Sequence, residues 1–121
     1  MTTREQARAW LDAYLRAWAS NEPDDVRAVF APEGEMRFEP WTEPVVGHDA
    51  LVESWLGRRD EPGSWRFEGD VLAVDGDLAF IQGVTRYTNG TTYSNLWVVR
   101  LADDGRAASF TEWWMDQSHP S

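Results

Sequence analysis

Glu112 lies in the run Phe110-Thr-Glu-Trp-Trp-Met-Asp-Gln117, among two tryptophans and a methionine. In a strand, side chains alternate between faces, so Phe110, Glu112, Trp114 and Asp116 share one side while Thr111, Trp113 and Met115 share the other. A carboxyl on an aromatic face has two readings. It is a charge at a cavity mouth, solvated or paired with an arginine such as Arg37 or Arg66, or it is a desolvated acid with a raised pKa, ready for proton transfer.

The rest of the composition narrows the chemistry. With no Cys and no Lys in the chain, thiolate nucleophiles and lysine Schiff bases are excluded. His48 and His119 match no zinc spacing, and no glycine-rich phosphate loop is present, so neither a metal nor a cofactor is expected. Proton transfer falls to carboxylates and tyrosines. His48 follows Gly47 at a helix start, where a surface role is expected, and His119 lies in the tail QSHPS. Glu39 and Glu43 flank Trp41 in a loop and read as rim charges.

Eight tryptophans in 121 residues either fill a core or wall a concave site for an apolar ligand. The length suits one domain, expected over 1–117 with a disordered tail at 118–121. Eleven arginines against twenty-one acidic residues leave a net charge of −10, which argues against nucleic acid or an anionic membrane as partner. No apolar run approaches the roughly 20 residues that span a bilayer. The polar opening and the lack of Cys lead to a cytoplasmic expectation.

The elements that must position these residues follow from periodicity. Ala7, Trp10, Leu11, Tyr14, Leu15 and Trp18 form one face of a helix over about 4–20, with Thr3 and Gln6 as a capping box. Pro23 opens a second helix with Val26, Val29 and Phe30 buried, and APEG ends it. A short strand over 34–39 and a loop over 40–44 follow, and then a third helix that Gly47 precedes and Gly57 stops, with Leu51, Val52 and Trp55 on the apolar side. GRRDEPG reads as a solvated loop. Turn signals at 75–76, 89–90 and 103–105 then separate four antiparallel strands, roughly 65–74, 77–88, 91–102 and 106–117.

Helices first and a meander second indicate an α+β fold, with helices on one face of a curved sheet. The strands alternate poorly, so both faces are expected to be covered. A second copy is the economical cover for the outer face, giving a homodimer in which Trp113 and Met115 are well placed for the contact.

The runs AYLRAWASNEPDDVRAVFAPEGEMRFEP and VVGHDALVESW, with the ending DDGRAASFTEWWMD, resemble the nuclear transport factor 2-like superfamily, in particular its SnoaL-like and ketosteroid isomerase-like members. The resemblance implies a cone-shaped curved antiparallel sheet wrapped around three N-terminal helices, a cystatin-like α+β barrel with an apolar pocket. Tyr14 falls where ketosteroid isomerases carry the tyrosine that donates to an oxyanion. Trp55 falls at an aromatic pocket position, and Phe110, Glu112 and Trp114 fall at inward positions of the last strand. Phe38 replaces the isomerases' general-base aspartate, with Glu39 next to it on the opposite face. Asn95 stands nearest their second, acidic donor, with Trp97 two positions on. Steroid isomerisation is therefore not expected, and the epoxide-hydrolase and dehydratase patterns are not visible.

The implied site has Glu112 as the acid/base, Tyr14 and Asn95 as donors, and Phe38, Trp41, Trp55, Trp65, Phe67, Trp97, Phe110 and Trp114 as ligand contacts. A small apolar or aromatic molecule would undergo a cofactor-free isomerase, cyclase or dehydratase reaction. The alternative is a non-catalytic binding or dimeric association module, since one fold hosts many functions.

Overall fold

A computed structural model describes residues 1–118. Helix α1 (Arg4–Ser20) begins as its capping box requires: the Thr3 hydroxyl accepts from the Gln6 N–H at 3.1 Å, and Gln6 Oε1 accepts from the Thr3 N–H at 2.8 Å. It ends on Asn21, left-handed at φ 54°, whose N–H returns to the Ala17 carbonyl. Helix α2 (Pro23–Val29) carries Pro23, Asp24 and Asp25 in its first turn, where a missing N–H and negative charge are both tolerated or favoured.

Strand β1 (Phe30–Arg37) starts directly at the end of α2, four residues earlier than the sequence suggests. APEG therefore lies inside a strand. Phe30 is already extended, fully buried and paired with Ala107, so strand pairing outweighs the turn signal of Pro32 and Gly34. The register shifts between Phe30 and Glu35, where that signal acts as an irregularity. Because β1 stops at Arg37, Phe38 and Glu39 lie in the bend that follows. A two-residue strand β2 (Val45–Val46), not foreseen from the sequence, leads into α3 (His48–Gly57).

The remaining strands are β3 (Trp65–Asp75), β4 (Leu78–Tyr87), β5 (Thr92–Leu101) and β6 (Ala107–Asp116), joined by turns with Gly76, Gly90 and Gly105 at positive φ. The six strands form one curved sheet in the order β2-β1-β6-β5-β4-β3. It is mixed: β1 runs parallel to β6, and every other pairing is antiparallel. The helices fill its inner face with Trp10, Leu11, Tyr14 and Val26 against Ile81, Trp97, Val99 and Phe110. On β6, Trp113 and Met115 alternate to the other side and are 49% and 68% exposed. Among the described residues no helix is long and apolar enough to cross a membrane.

Gly69 and Gly83 oppose each other across β3 and β4, and the ring of Phe67 lies over both. A Cβ on Gly83 would stand 2.3 Å from Phe67 Cζ and 2.8 Å from the Glu68 carbonyl. Phe67 has little room to retreat, since its ring stacks on Trp97 at 4.8 Å. Gly83→Ala is expected to cost about 1–3 kcal/mol of stability by overpacking. Urea unfolding measures this, and a loss below about 0.5 kcal/mol would mean that the ring moves aside freely.

Candidate functional site

Between the helices and the inner sheet face lies a cavity of about 460 Å³, within the usual range for small-molecule sites. Glu112 enters it from β6. Directly across the β5–β6 ladder stands Trp97, whose indole N–H donates to Glu112 Oε2 at 3.1 Å. The same oxygen accepts from Asn95 Nδ2 at 3.4 Å. Asn95 is oriented for this by Thr85, whose buried hydroxyl donates to Asn95 Oδ1 at 2.7 Å.

Both donors to Glu112 are neutral. Arg37 pairs with Glu35 and Arg66 with Glu68, so neither of the arginines suggested by the sequence reaches the Glu112 carboxyl. Burial pushes its pKa up to about 7; the Trp97 N–H opposes the shift, the charge of Glu39 adds to it, Asn95 opposes it and Asp60 adds to it. A carboxyl in this state exchanges a proton near neutral pH.

Tyr14, from α1, is 6% exposed and stacks on Phe110 at 5.4 Å, with Trp55 edge-on at 5.3 Å. It lines the cavity, and its hydroxyl has no hydrogen-bond partner among the described residues. Burial first and the nearby Glu112 charge second hold its pKa well above the ordinary tyrosine value. Tyr14 therefore remains a proton-bearing donor at any physiological pH.

A second carboxylate was hidden in the segment read as a solvated loop. Asp60 Oδ2 accepts from Trp18 Nε1 and from the Tyr87 hydroxyl, each at 2.9 Å. Its carbonyl accepts from Asn21 Nδ2 at 3.0 Å, while Asn21 Oδ1 accepts from Trp55 Nε1 at 3.1 Å. The loop after α3 is thus tied to α1, α3 and β4, and Asp60 forms part of the cavity wall. The only signal in the sequence was indirect: Trp and Tyr polar groups on inward faces need acceptors.

Of the expected ligand contacts, Phe38, Trp55 and Trp114 line the cavity. Trp41 does not: the turn closed by Thr42 N–H on the Glu39 carbonyl projects it outward, 81% exposed. Trp65, Phe67, Trp97 and Phe110 face inward but lie behind the wall. Trp65 stacks on Trp18 at 3.7 Å, Phe67 on Trp97, and Phe110 on Tyr14; rings packed on one another bury more area than rings left against a void. At the mouth, Arg58 lies 3.9 Å above the Phe38 ring.

His48 is not a free surface group, since its Nε2 is 2.7 Å from the Phe30 carbonyl and joins α3 to β1. His119 and the rest of 119–121 lie outside the described residues. No three His, Asp or Glu side chains among the described residues gather closely enough to hold a metal ion.

The sequence matches the SnoaL-like domain model over residues 11–110, a span that ends just before Glu112. No curated protein matches it. Among solved structures, an NTF2-like protein of unknown function from Burkholderia xenovorans LB400 superposes with TM-score 0.75 at 18% identity, covering 97% of this chain and 88% of that one. An NTF2-like protein of unknown function from Mesorhizobium loti gives 0.72 at 19%, over 95% of each chain. A ketosteroid isomerase-like protein from Erwinia carotovora atroseptica SCRI1043 gives 0.65 at 21%, over 94% and 98%. At these identities the likeness is one of fold.

Proposed function

The chain belongs to the SnoaL-like domain family, and from that premise we propose that its cavity binds a small apolar or aromatic carbonyl compound and moves a proton on it without a cofactor. One observation carries this reading: the Glu112 carboxyl is buried in the cavity wall, held by neutral donors and poised near pH 7. An ionised Glu112 removes a proton from the carbon beside the carbonyl. The electron pair of that C–H bond moves into a carbon–carbon double bond, and the charge on the substrate oxygen is met by the Tyr14 hydroxyl. Protonated Glu112 then returns the proton to the original carbon or to another that shares the charge.

Asn95 has a part beside the donor role that the resemblance implies. Its amide is engaged by Glu112 and Thr85, so it positions the acid.

Titrating Glu112 by carboxyl-carbon NMR, with Glu112→Gln to assign the signal, tests the premise; a midpoint near the ordinary 4.3 would remove it. Tyr14→Phe is expected to lower turnover by roughly one to three powers of ten with little change in KM. Unchanged turnover would retire the oxyanion role.

A further inference from the structure

Eight of the eleven arginines pair with a carboxylate among the described residues. The three that do not are Arg16, Arg58 and Arg59. Two of these are consecutive, and both line the same cavity. In a chain with twenty-one acidic residues, partners for them are plentiful.

The nearest carboxylate in sequence is otherwise engaged: Asp60 Oδ2 takes the Trp18 N–H and the Tyr87 hydroxyl. Each guanidinium is also held in place. Arg58 stacks over Phe38 at 3.9 Å, and Arg59 donates to the Leu56 carbonyl at 3.0 Å. Neither arrangement consumes the remaining N–H groups of the two forks.

The cavity therefore has two different ends. Deep inside, the Tyr14 hydroxyl offers a proton to an oxygen, and the mouth carries the two exposed cations. The same cavity is walled by the rings of Trp55, edge-on to Tyr14, and of Trp114. A molecule that satisfies all three parts has an acceptor oxygen at one end, a flat apolar body and an anion at the other. A carboxylate matches a guanidinium fork in shape as well as charge.

We propose that the substrate is an aromatic or apolar carbonyl compound carrying a carboxylate at its far end, held by Arg58 and Arg59 at the cavity mouth. The inference rests on the proton-transfer reading of the same cavity and names the substrate class. The same lining also holds Glu39, Asp60 and Glu112, so the two guanidiniums would hold an anion by direct contact at the mouth and not through a positive field of the cavity or of a chain with net charge −10.

The test uses 6-acetyl-2-naphthoate, with a carbonyl at one end and a carboxylate at the other, beside its neutral methyl ester. Affinities are measured by calorimetry at pH 7, and exchange of the acetyl protons in deuterated buffer is followed by NMR. The acid is expected to bind about tenfold or more tightly than the ester. In an Arg58→Gln, Arg59→Gln double variant its affinity should fall to that of the ester, which itself stays unchanged. Both positions are exposed and outside ion pairs, so the fold should survive, as circular dichroism would verify.

An acid that binds no more tightly than the ester, including the absence of binding by either, overturns the proposal, as does a preference that persists in the double variant. The exchange measurement separates the two readings. Catalysed exchange without preference for the acid sinks the carboxylate inference alone. Preference lost in the double variant, without catalysed exchange, upholds carboxylate recognition and removes proton transfer.

Discussion

Glu112→Gln is expected to lower turnover by roughly two to four powers of ten while leaving ligand affinity within a few fold. Gln keeps the length and shape of Glu, and its amide oxygen can still accept from Trp97 and Asn95, so the hydrogen bonds around it have a route to survive. What disappears is the titrating group. In the wild type, turnover should rise as pH rises through about 7, where the carboxyl becomes a base.

The same titration affects stability, with a definite sign. The folded pKa is raised from 4.5 to about 7, so the folded chain holds a proton that the unfolded chain releases. The associated stability is fully present below pH 4.5 and is lost as pH climbs through about 7. The shift corresponds to at most about 3 kcal/mol. Denaturant unfolding of wild type and Glu112→Gln at pH 4 and pH 8 should therefore show the variant gaining on the wild type at the higher pH. A stability difference that stays constant, or a variant that turns over normally, would remove Glu112 from its assigned role.

Trp97→Ala is expected to cost about 3–5 kcal/mol of stability, against a typical total of about 5–15. Trp97 is 1% exposed, with ring neighbours Tyr14 at 4.6 Å, Phe67 at 4.8 Å and Phe110 at 5.7 Å. The substitution also strips Glu112 of the N–H that most opposes its protonation, so the Glu112 midpoint should move further up in any variant that remains folded. Urea unfolding measures the first effect and carboxyl NMR the second. A loss below about 1.5 kcal/mol would mean that the surrounding rings collapse into the space.

What could be read from the sequence depended on how local its cause was. Helix α1 was legible because its capping box and apolar stripe lie within its own seventeen residues and the Thr3 that precedes them. The β3–β6 meander was legible because each turn carries a glycine that the backbone requires. The inward placement of Glu112 came from the resemblance, since alternation groups Glu112 with Phe110 and Trp114 without telling which face is the inner one. The start of β1 was not legible, because Phe30 is extended through pairing with Ala107, far along the chain.

The site divides in the same way. A carboxylate in GRRDEPG looks identical whether solvated or anchored, and the donors that anchor Asp60 lie 42 and 27 residues away. The resemblance led to Trp65, Phe67, Trp97 and Phe110 as ligand contacts, since the strands alternate too poorly for periodicity to assign their faces. It could not say that they stack on one another instead of lining the void, because that choice depends on the depth of the layer behind the wall.

The parallel pairing of β1 with β6 bears on how the molecule comes into being. Residues 30–37 have no long neighbouring strand until residues 107–116 have left the ribosome, because β2 offers only two residues. Contacts that distant in sequence close late and slow the search for the native state. β1, with Phe30 and Met36 buried in the finished fold, must wait with that apolar surface uncovered on its β6 side, a condition that favours chaperone capture or aggregation. The strand that ends this wait is the one that carries Glu112, so the acid reaches its position in the step that completes the sheet.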